Sequence, residues 1–383
     1  MTYPFVMPGV CYVGVGALKN LGDELKRLGT KRALLVCDPG IVQAGVSEQV
    51  VSIMKKEGVE YEIFSQVELE PSTDNVEEAA RVVRQGQYDV VVGLGGGSSL
   101  DVAKGAAVLA TNGGSIRDYV GVEVIPKPGL PTVLIPTTAG TGAEVTLNAI
   151  FTFRDEQVKK GVVSRHLRAA VAIVDPELTL SCPPKVTAAT GMDALTHAIE
   201  SYVSIKATPQ TDIYALEAIR LIGRSLRRAV ALGSDIKVRT DMAWGSFMAG
   251  VSLANAGVGA VHALAYPLGG RFHVSHGVAN ALLLPYVLEF NLIGALEKFC
   301  NVAQALGEPV KDKSPREAAQ AAVRAVVQLS QDVGIPQRLS QVGVTEKDLE
   351  VLADGAIRQT RLLSNNPRVL SKDDIYVIYR KAL

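Results

Sequence analysis

Over the first half of the chain, short aliphatic runs closed by polar or turn-forming residues alternate with stretches whose apolar positions recur every three or four residues. The runs at 32–38 (RALLVCD), 61–64, 89–94 (DVVVGL), 132–136 (TVLIP) and 170–175 (AVAIVD) read as strands. Those at 18–28, 46–57, 75–84 and 100–110 read as helices. Strand and helix in this rhythm imply a parallel sheet covered by helices on both faces, because parallel strands need crossovers and bury both sides. After Pro183-Pro184 the texture changes: helical spacing continues, and β-rich runs bounded by turns almost vanish. The pattern predicts two domains, an α/β domain at 1–180 and an all-α domain at 181–383, with no internal repeat.

Composition narrows the classes. At 383 residues the chain exceeds one ordinary core. Lys and Arg total 39, as do Asp and Glu, so the formal net charge is zero and the basic excess of a duplex-binding protein is missing. By this reading no run approaches the about 20 apolar residues that span a bilayer, so no membrane partner is expected. The first residues lack the basic start and apolar stretch of a secretory leader. Four scattered cysteines (Cys11, Cys37, Cys182, Cys300) without a Cys-x-x-Cys pair suit reduced thiols in the cytoplasm.

Candidate chemistry begins at the end of the strongest strand. Gly93-Leu94-Gly95-Gly96-Gly97-Ser98-Ser99 joins strand to helix, and three adjacent glycines let backbone N–H groups approach a pyrophosphate at a helix start. Ser98 or Ser99 is also a candidate cap for that helix. Gly14-Val15-Gly16 resembles the opening of a dinucleotide fingerprint, but Lys19 stands where the third glycine belongs, so it reads as a turn. Asp38 closes the first clear strand, where a carboxylate can accept from a ribose diol and repel a 2′-phosphate, favouring NAD over NADP. An Asp that merely starts the turn before Pro39 explains it equally well. The hydroxyl-rich loop Pro136-Thr137-Thr138-Ala139-Gly140-Thr141-Gly142 follows another strand, where open sheets bind ligands.

Asp193 and His197, four residues apart, share one face of a helix. The chain has only five histidines, and three more gather at His262, His273 and His276, the last with strongly apolar sequence beside it. Such imidazoles need partners, which a cation supplies. One carboxylate and three imidazoles suit a divalent first-row metal such as Fe²⁺ or Zn²⁺; satisfied core histidines are the competing account.

The chain resembles the iron-containing (group III) alcohol dehydrogenases, among them the lactaldehyde, propanediol and butanol dehydrogenases, along essentially its whole length. The resemblance rests on GGGSSLDVAKGAA at 95–107, PTTAGTGAEVT at 136–146, GMDALTHAIESYVS at 191–204, HALAYPLGG at 262–270 and HGVANALLLPYV at 276–287. It implies a Rossmann-like nucleotide-binding domain followed by a helical one, the fold shared with dehydroquinate synthase, with the active site between them. It implies metal ligands at Asp193, His197, His262 and His276. It implies cofactor contacts at Asp38, Gly95, Gly96, Gly97, Ser98, Ser99, Thr137, Thr138, Thr141 and Lys160, with Asn148 near the nicotinamide and substrate. Many relatives carry a histidine four residues after the third ligand; here that residue is Tyr266. Tyr266, the poorer base given its ordinary pKa of about 10, and His273 are therefore the candidates for proton transfer; His273 also reads as a residue beside the ligands or in the substrate cleft, with a surface position as the competing account.

The resemblance thus implies a homo-oligomeric, NAD-dependent enzyme interconverting a small alcohol and its aldehyde on a bound cation. A hydroxyacid–oxoacid transhydrogenase or a glycerol dehydrogenase is the nearest alternative. A dehydroquinate synthase-type cyclase would need basic residues for a phosphorylated substrate, and the ligand region offers mainly Arg271. A non-catalytic NAD sensor would have no use for four converging ligands.

Overall fold

The computed structural model describes residues 2, 4–156 and 158–383 and divides into two compact units. One comprises 6–138 and 142–182; the other comprises 1–5, 139–141 and 183–383.

The first unit is built on nine strands: β1 (Val10–Val13), β2 (Arg32–Val36), β3 (Glu60–Phe64), β4 (Val90–Gly95), β5 (Gly121–Val122), β6 (Thr132–Pro136), β7 (Asn148–Phe153), β8 (Val158–Val163) and β9 (Val171–Val174). Six form a wholly parallel sheet in the order β1-β9-β6-β4-β2-β3. Its helices are α1 (Leu21–Arg27), α2 (Pro39–Gln43), α3 (Val46–Lys56), α4 (Thr73–Gly86) and α5 (Gly97–Asn112). The two-residue alternation of a strand separates two cores. Leu34, Val36, Val91 and Leu134 face one of them, and Ala33, Leu35, Val90, Val92, Val133 and Ile135 face the other. All of these are fully buried, which is why β2, β4 and β6 read as unbroken aliphatic runs.

Two features were not anticipated. β1 is a half-buried edge strand, held only by parallel pairing with β9. Strands β5, β8 and β7 form a separate three-stranded sheet in which β7 and β8 are antiparallel. The helix expected at 18–28 is a 3₁₀ turn at Ala17–Asn20 followed by α1. Gly14-Val15-Gly16 is indeed a structural turn: the Asp175 carboxylate accepts from the amides of Gly16 (3.2 Å) and Leu18 (3.0 Å), so neither awaits a phosphate. All four cysteines are free, and burial pushes the Cys37 thiol up to about 12 and the Cys11 thiol to about 11, the pattern of inert thiols.

Glu144, in the loop after β6, is 2% exposed, and burial raises its carboxyl to about 7 against the opposing pull of its own backbone amide and Lys104. The native chain then holds this proton to higher pH than the unfolded chain, so stability falls as pH rises from about 4.5 through about 7. Glu144→Gln removes that titration. Denaturant melts across this range should show wild type losing roughly 3 kcal/mol more than the variant. Parallel profiles for the two proteins would contradict the assignment.

The second unit is helical: α6 (Pro184–Val203), α7 (Pro209–Ala231), α8 (Ile236–Ala256), α9 (Ala260–Phe272), α10 (His276–Asn291), α11 (Leu296–Ala305), α12 (Pro315–Asp332), α13 (Leu349–Ile357), α14 (Thr360–Leu363) and α15 (Lys372–Ala382). One continuous core runs through it, in which α6, α9 and α10 each place seven or eight buried apolar residues. Segment 276–294 corrects the expectation that no stretch reaches membrane-spanning length: its mean hydropathy of 1.3 passes that test. Yet 56% of it is buried within the protein, and its Asn280 and Asn291 side chains are engaged in buried hydrogen bonds. A lipid-facing helix would hide neither, so α10 is a core helix.

Candidate functional site

Helix α6 is the scaffold of the donor cluster. Asp193 and His197 lie one turn apart on its buried face, 2% and 3% exposed. His262 sits in the first turn of α9, and His276 opens α10. A Cβ on Gly277 would stand 2.5 Å from the Ala189 carbonyl oxygen of α6, so only glycine lets α10 approach closely enough to bring His276 and Asn280 over Asp193.

The four side chains converge. One ligand atom from each of Asp193, His197, His262 and His276 lies within 4.8 Å of all the others. Asp193 Oδ1 is 3.7 Å from His197 Nε2, 4.0 Å from His262 Nε2 and 3.7 Å from His276 Nε2. These spacings bring the three imidazole nitrogens around one carboxylate oxygen, the grouping a divalent cation needs. The outer nitrogens are engaged: His197 Nδ1 meets the Gly140 carbonyl (3.3 Å), and His262 Nδ1 meets Glu200 Oε2 (2.5 Å). Such outer partners turn Nε2 inward. Burial works to push the Asp193 carboxyl up, but the imidazoles of His197, His276 and His262 and the Asn280 amide together hold it below its ordinary value. Burial lowers His197, favouring the neutral imidazole that ligation requires.

Asn280 supplies a further test of fit. Its Nδ2 lies 2.7 Å from Asp193 Oδ1 and 3.1 Å from both His262 Nε2 and His276 Nε2, while its Oδ1 is buried with no hydrogen-bond partner. Two amide hydrogens cannot serve three acceptors. Acceptors crowded around one partially positive group are what a cation site looks like, and the residues present fit a divalent metal.

The two proton-transfer candidates part company. Tyr266 is buried, with its ring centroid 6.2 Å from that of His276. His273 is exposed, in left-handed conformation (φ 53°) at the C-terminus of α9, and lies outside the four-residue cluster.

In the α/β unit, Gly95 has φ +142°, and a Cβ there would stand 2.6 Å from Ser99 Oγ. Helix α5 starts at Gly97 with Gly96 before it and no side-chain cap. Neither serine caps, contrary to one expectation: Ser98 Oγ donates to the Leu69 carbonyl, and Ser99 Oγ meets Asp38 Oδ2 at 3.4 Å. The first-turn amides of a sixteen-residue helix are thus left without a side-chain cap. Asp38 performs the turn role with Oδ1, accepting from Gly40 N and Ile41 N, and turns Oδ2 toward the glycine turn. Thr137 is buried and its amide donates to the Gly95 carbonyl, which ties this loop to the turn; Thr138 is half-buried, its side chain 3.8 Å from where a Gly96 Cβ would sit. Thr141 is half-buried in the 139–141 segment that clusters with the helical unit. Lys160, on β8, pairs with Glu156 (2.6 Å) and lies over the Phe153 ring.

Three residues escaped the sequence reading. Glu200 stands at i+7 from Asp193 and i+3 from His197, a spacing that marks the same helix face. Asn280 is four residues after His276, likewise one turn on. Lys104 is 1% exposed, with Nζ bonded to the carbonyls of Ala143 (3.0 Å) and Asn148 and paired with Asp101 (3.0 Å). It thereby sets the backbone at Asn148.

A three-imidazole, one-carboxylate donor set in a helical unit and a glycine turn ending a parallel strand in an α/β unit are the two features expected of a metal-dependent dehydrogenase. Comparison with known proteins makes this specific. Residues 8–176 match the family model for iron-containing alcohol dehydrogenase, and 187–383 match the C-terminal model of the same family. The chain belongs to the iron-containing alcohol dehydrogenase family. It is 48% identical over 380 residues to long-chain-alcohol dehydrogenase 1 of Geobacillus thermodenitrificans, covering 98% of this chain and 96% of the relative. A solved 1,3-propanediol oxidoreductase superposes with a TM-score of 0.97 at 42% identity, each chain fully covered. Sulfoacetaldehyde reductase from Bifidobacterium kashiwanohense, solved in complex with NAD+, superposes with a TM-score of 0.89 at 30% identity, covering 100% of this chain and 99% of the other.

Proposed function

We propose that this alcohol dehydrogenase interconverts a small primary alcohol or diol and the corresponding aldehyde, with NAD as hydride carrier and a divalent cation, Fe²⁺ or Zn²⁺, held by Asp193, His197, His262 and His276. The observation that carries the reading is the convergence of these four donors within 4.8 Å. The bound cation supplies a Lewis acid for the alcohol or carbonyl oxygen. The chain's own residues do the rest. One carboxylate against three neutral imidazoles leaves a net positive centre once a divalent ion is held, which favours an anionic oxygen. In this reading Tyr266, buried beside His276, passes the hydroxyl proton onward, with the exposed His273 as the alternative.

For the cofactor, the first-turn amides of α5 with Gly95, Gly96, Gly97, Ser98 and Ser99 take the pyrophosphate. Asp38 takes the ribose diol through Oδ2, and Thr137, Thr138, Thr141, Asn148 and Lys160 complete the contacts. The NAD+ complex of a relative sharing this fold supports NAD as the carrier. The likeness to a 1,3-propanediol oxidoreductase supports a short diol as substrate, and the relative named for long-chain alcohols makes chain length the variable to test. The reading includes a cytoplasmic setting and self-association of the chain.

The test follows NADH absorbance with apoprotein reloaded with Fe²⁺ or Zn²⁺, across short alcohols, diols, long-chain alcohols and aldehydes. The expected result is cation-dependent turnover, fastest with short primary alcohols or diols. Turnover that survives complete chelation, or none with any alcohol or aldehyde, would contradict it.

A further inference from the structure

The most fully engaged acidic group beside the donor cluster is one that holds no place in it. Glu200 lies on α6, on the face that carries Asp193 and His197, and is 4% exposed. Its Oε1 accepts from the Val261 amide at 2.7 Å, and its Oε2 lies 2.5 Å from His262 Nδ1. No lysine or arginine pairs with it among the described ion pairs; its one ion-pair partner there is His262. Helix α9 begins after Gly259, which has no side chain with which to cap it. A carboxylate from the neighbouring helix therefore takes a first-turn amide that α9 leaves open, and favours the positive end of the helix dipole.

We propose that Glu200 is a positioning residue that presents His262 to the cation. An ionised carboxylate can only accept, so both of its contacts are donations to it. Nδ1 of His262 therefore carries the proton, and Nε2 is left with its lone pair directed at Asp193, His276 and the Asn280 amide. The same carboxylate fixes the backbone at Val261, one residue before the ligand. Tautomer and ring position are thus both set before a cation arrives, which spares the site that reorganisation on binding. This inference rests on the metal reading of the same cluster.

Glu200→Gln separates the proposal from a packing role, because shape is kept while one acceptor becomes a donor. If the amide oxygen keeps the Val261 N–H, the NH₂ group faces Nδ1, makes it an acceptor, and moves the proton to Nε2, where it blocks ligation. Two measurements read this out on the full chain. Imidazole ¹⁵N shifts of the histidine-labelled apoprotein report the tautomer, and five histidines are few enough to assign. Chelator competition gives the affinity for Zn²⁺ or Co²⁺. Wild type should show His262 protonated at Nδ1, and Glu200→Gln at Nε2, with cation affinity about 10- to 100-fold weaker and the apoprotein melting near wild type. The same tautomer in both proteins, or equal affinity, would overturn the proposal while wild-type binding left the metal reading standing. Asp193→Ala is the comparator: if wild type binds no more cation than this variant, the metal reading itself fails, and the present inference with it.

Discussion

Replacing His276 with alanine should strip the cation and reduce kcat/KM by at least ~10³-fold, since a Lewis acid at the reacting oxygen contributes several kcal/mol of charge stabilisation. NADH binding, assigned to the α/β unit, should survive. His262→Ala should give the same functional loss with a further cost. The His276 side chain is 33% exposed, and its removal leaves water able to fill the place. Removing His262 leaves Glu200 Oε2 buried without its donor, which costs about 1–3 kcal/mol. The pair of variants is thus a paired test. Metal content by elemental analysis and turnover should be lost in both, while the apoprotein melting temperature should fall clearly only in His262→Ala. Retained metal and normal turnover in the double variant would refute the assignment of the site.

How far the sequence revealed this architecture depended on what each residue leans on. Strands β2, β4 and β6 are buried on both faces, so their aliphatic runs announce them; of the later helices, α7 and α12 show clear helical spacing, whereas α8 and α10 show little of it. β1 could not be seen, because VCYV is half-buried and becomes a strand only by pairing with β9, about 160 residues away. β8 reads VKKGVV, whose lysines and glycine argue against a strand until β7 lies beside it. The site divides in the same way. Asp193 and His197 are visible as a helical pair, whereas His262 and His276 could be joined to them only through the scarcity of histidines and the resemblance to a family. Glu200 and Asn280 were within reach, since the i+7 and i+4 spacings place each on the face of a named ligand. They were missed because an acid or amide on a helix is ordinarily a solvated residue, and only burial shows otherwise. Asp38 shows why one residue can satisfy two readings: one oxygen holds the turn and the other faces Ser99.

Lys104→Met should destabilise the protein by about 3 kcal/mol, near the low end of the 3–5 kcal/mol typical when a buried ion pair loses one partner. Methionine keeps most of the apolar stem, so the loss belongs to the ammonium group. Without it, Asp101 retains only the Ile150 amide (2.9 Å) as donor, and the carbonyls of Ala143 and Asn148 lose theirs. Asp101 keeps 13% of its side chain exposed, so water offsets part of the penalty, and this sets the low end as the expectation. Burial already pushes the Asp101 carboxyl up, against the pull of Lys104, so removal of the ammonium should push it further. Adding Asp101→Asn to Lys104→Met should recover part of the loss, because the charge goes while an acceptor for Ile150 remains. The two carbonyls stay unpaired, so recovery is incomplete. Guanidinium melts of the two single variants and the double variant give the coupling directly. Since the ammonium tethers the loop from Ala143 to Asn148, NADH affinity should weaken alongside stability in Lys104→Met. A loss below about 1 kcal/mol would place Lys104 among ordinary surface ion pairs and remove it as the clamp on that loop.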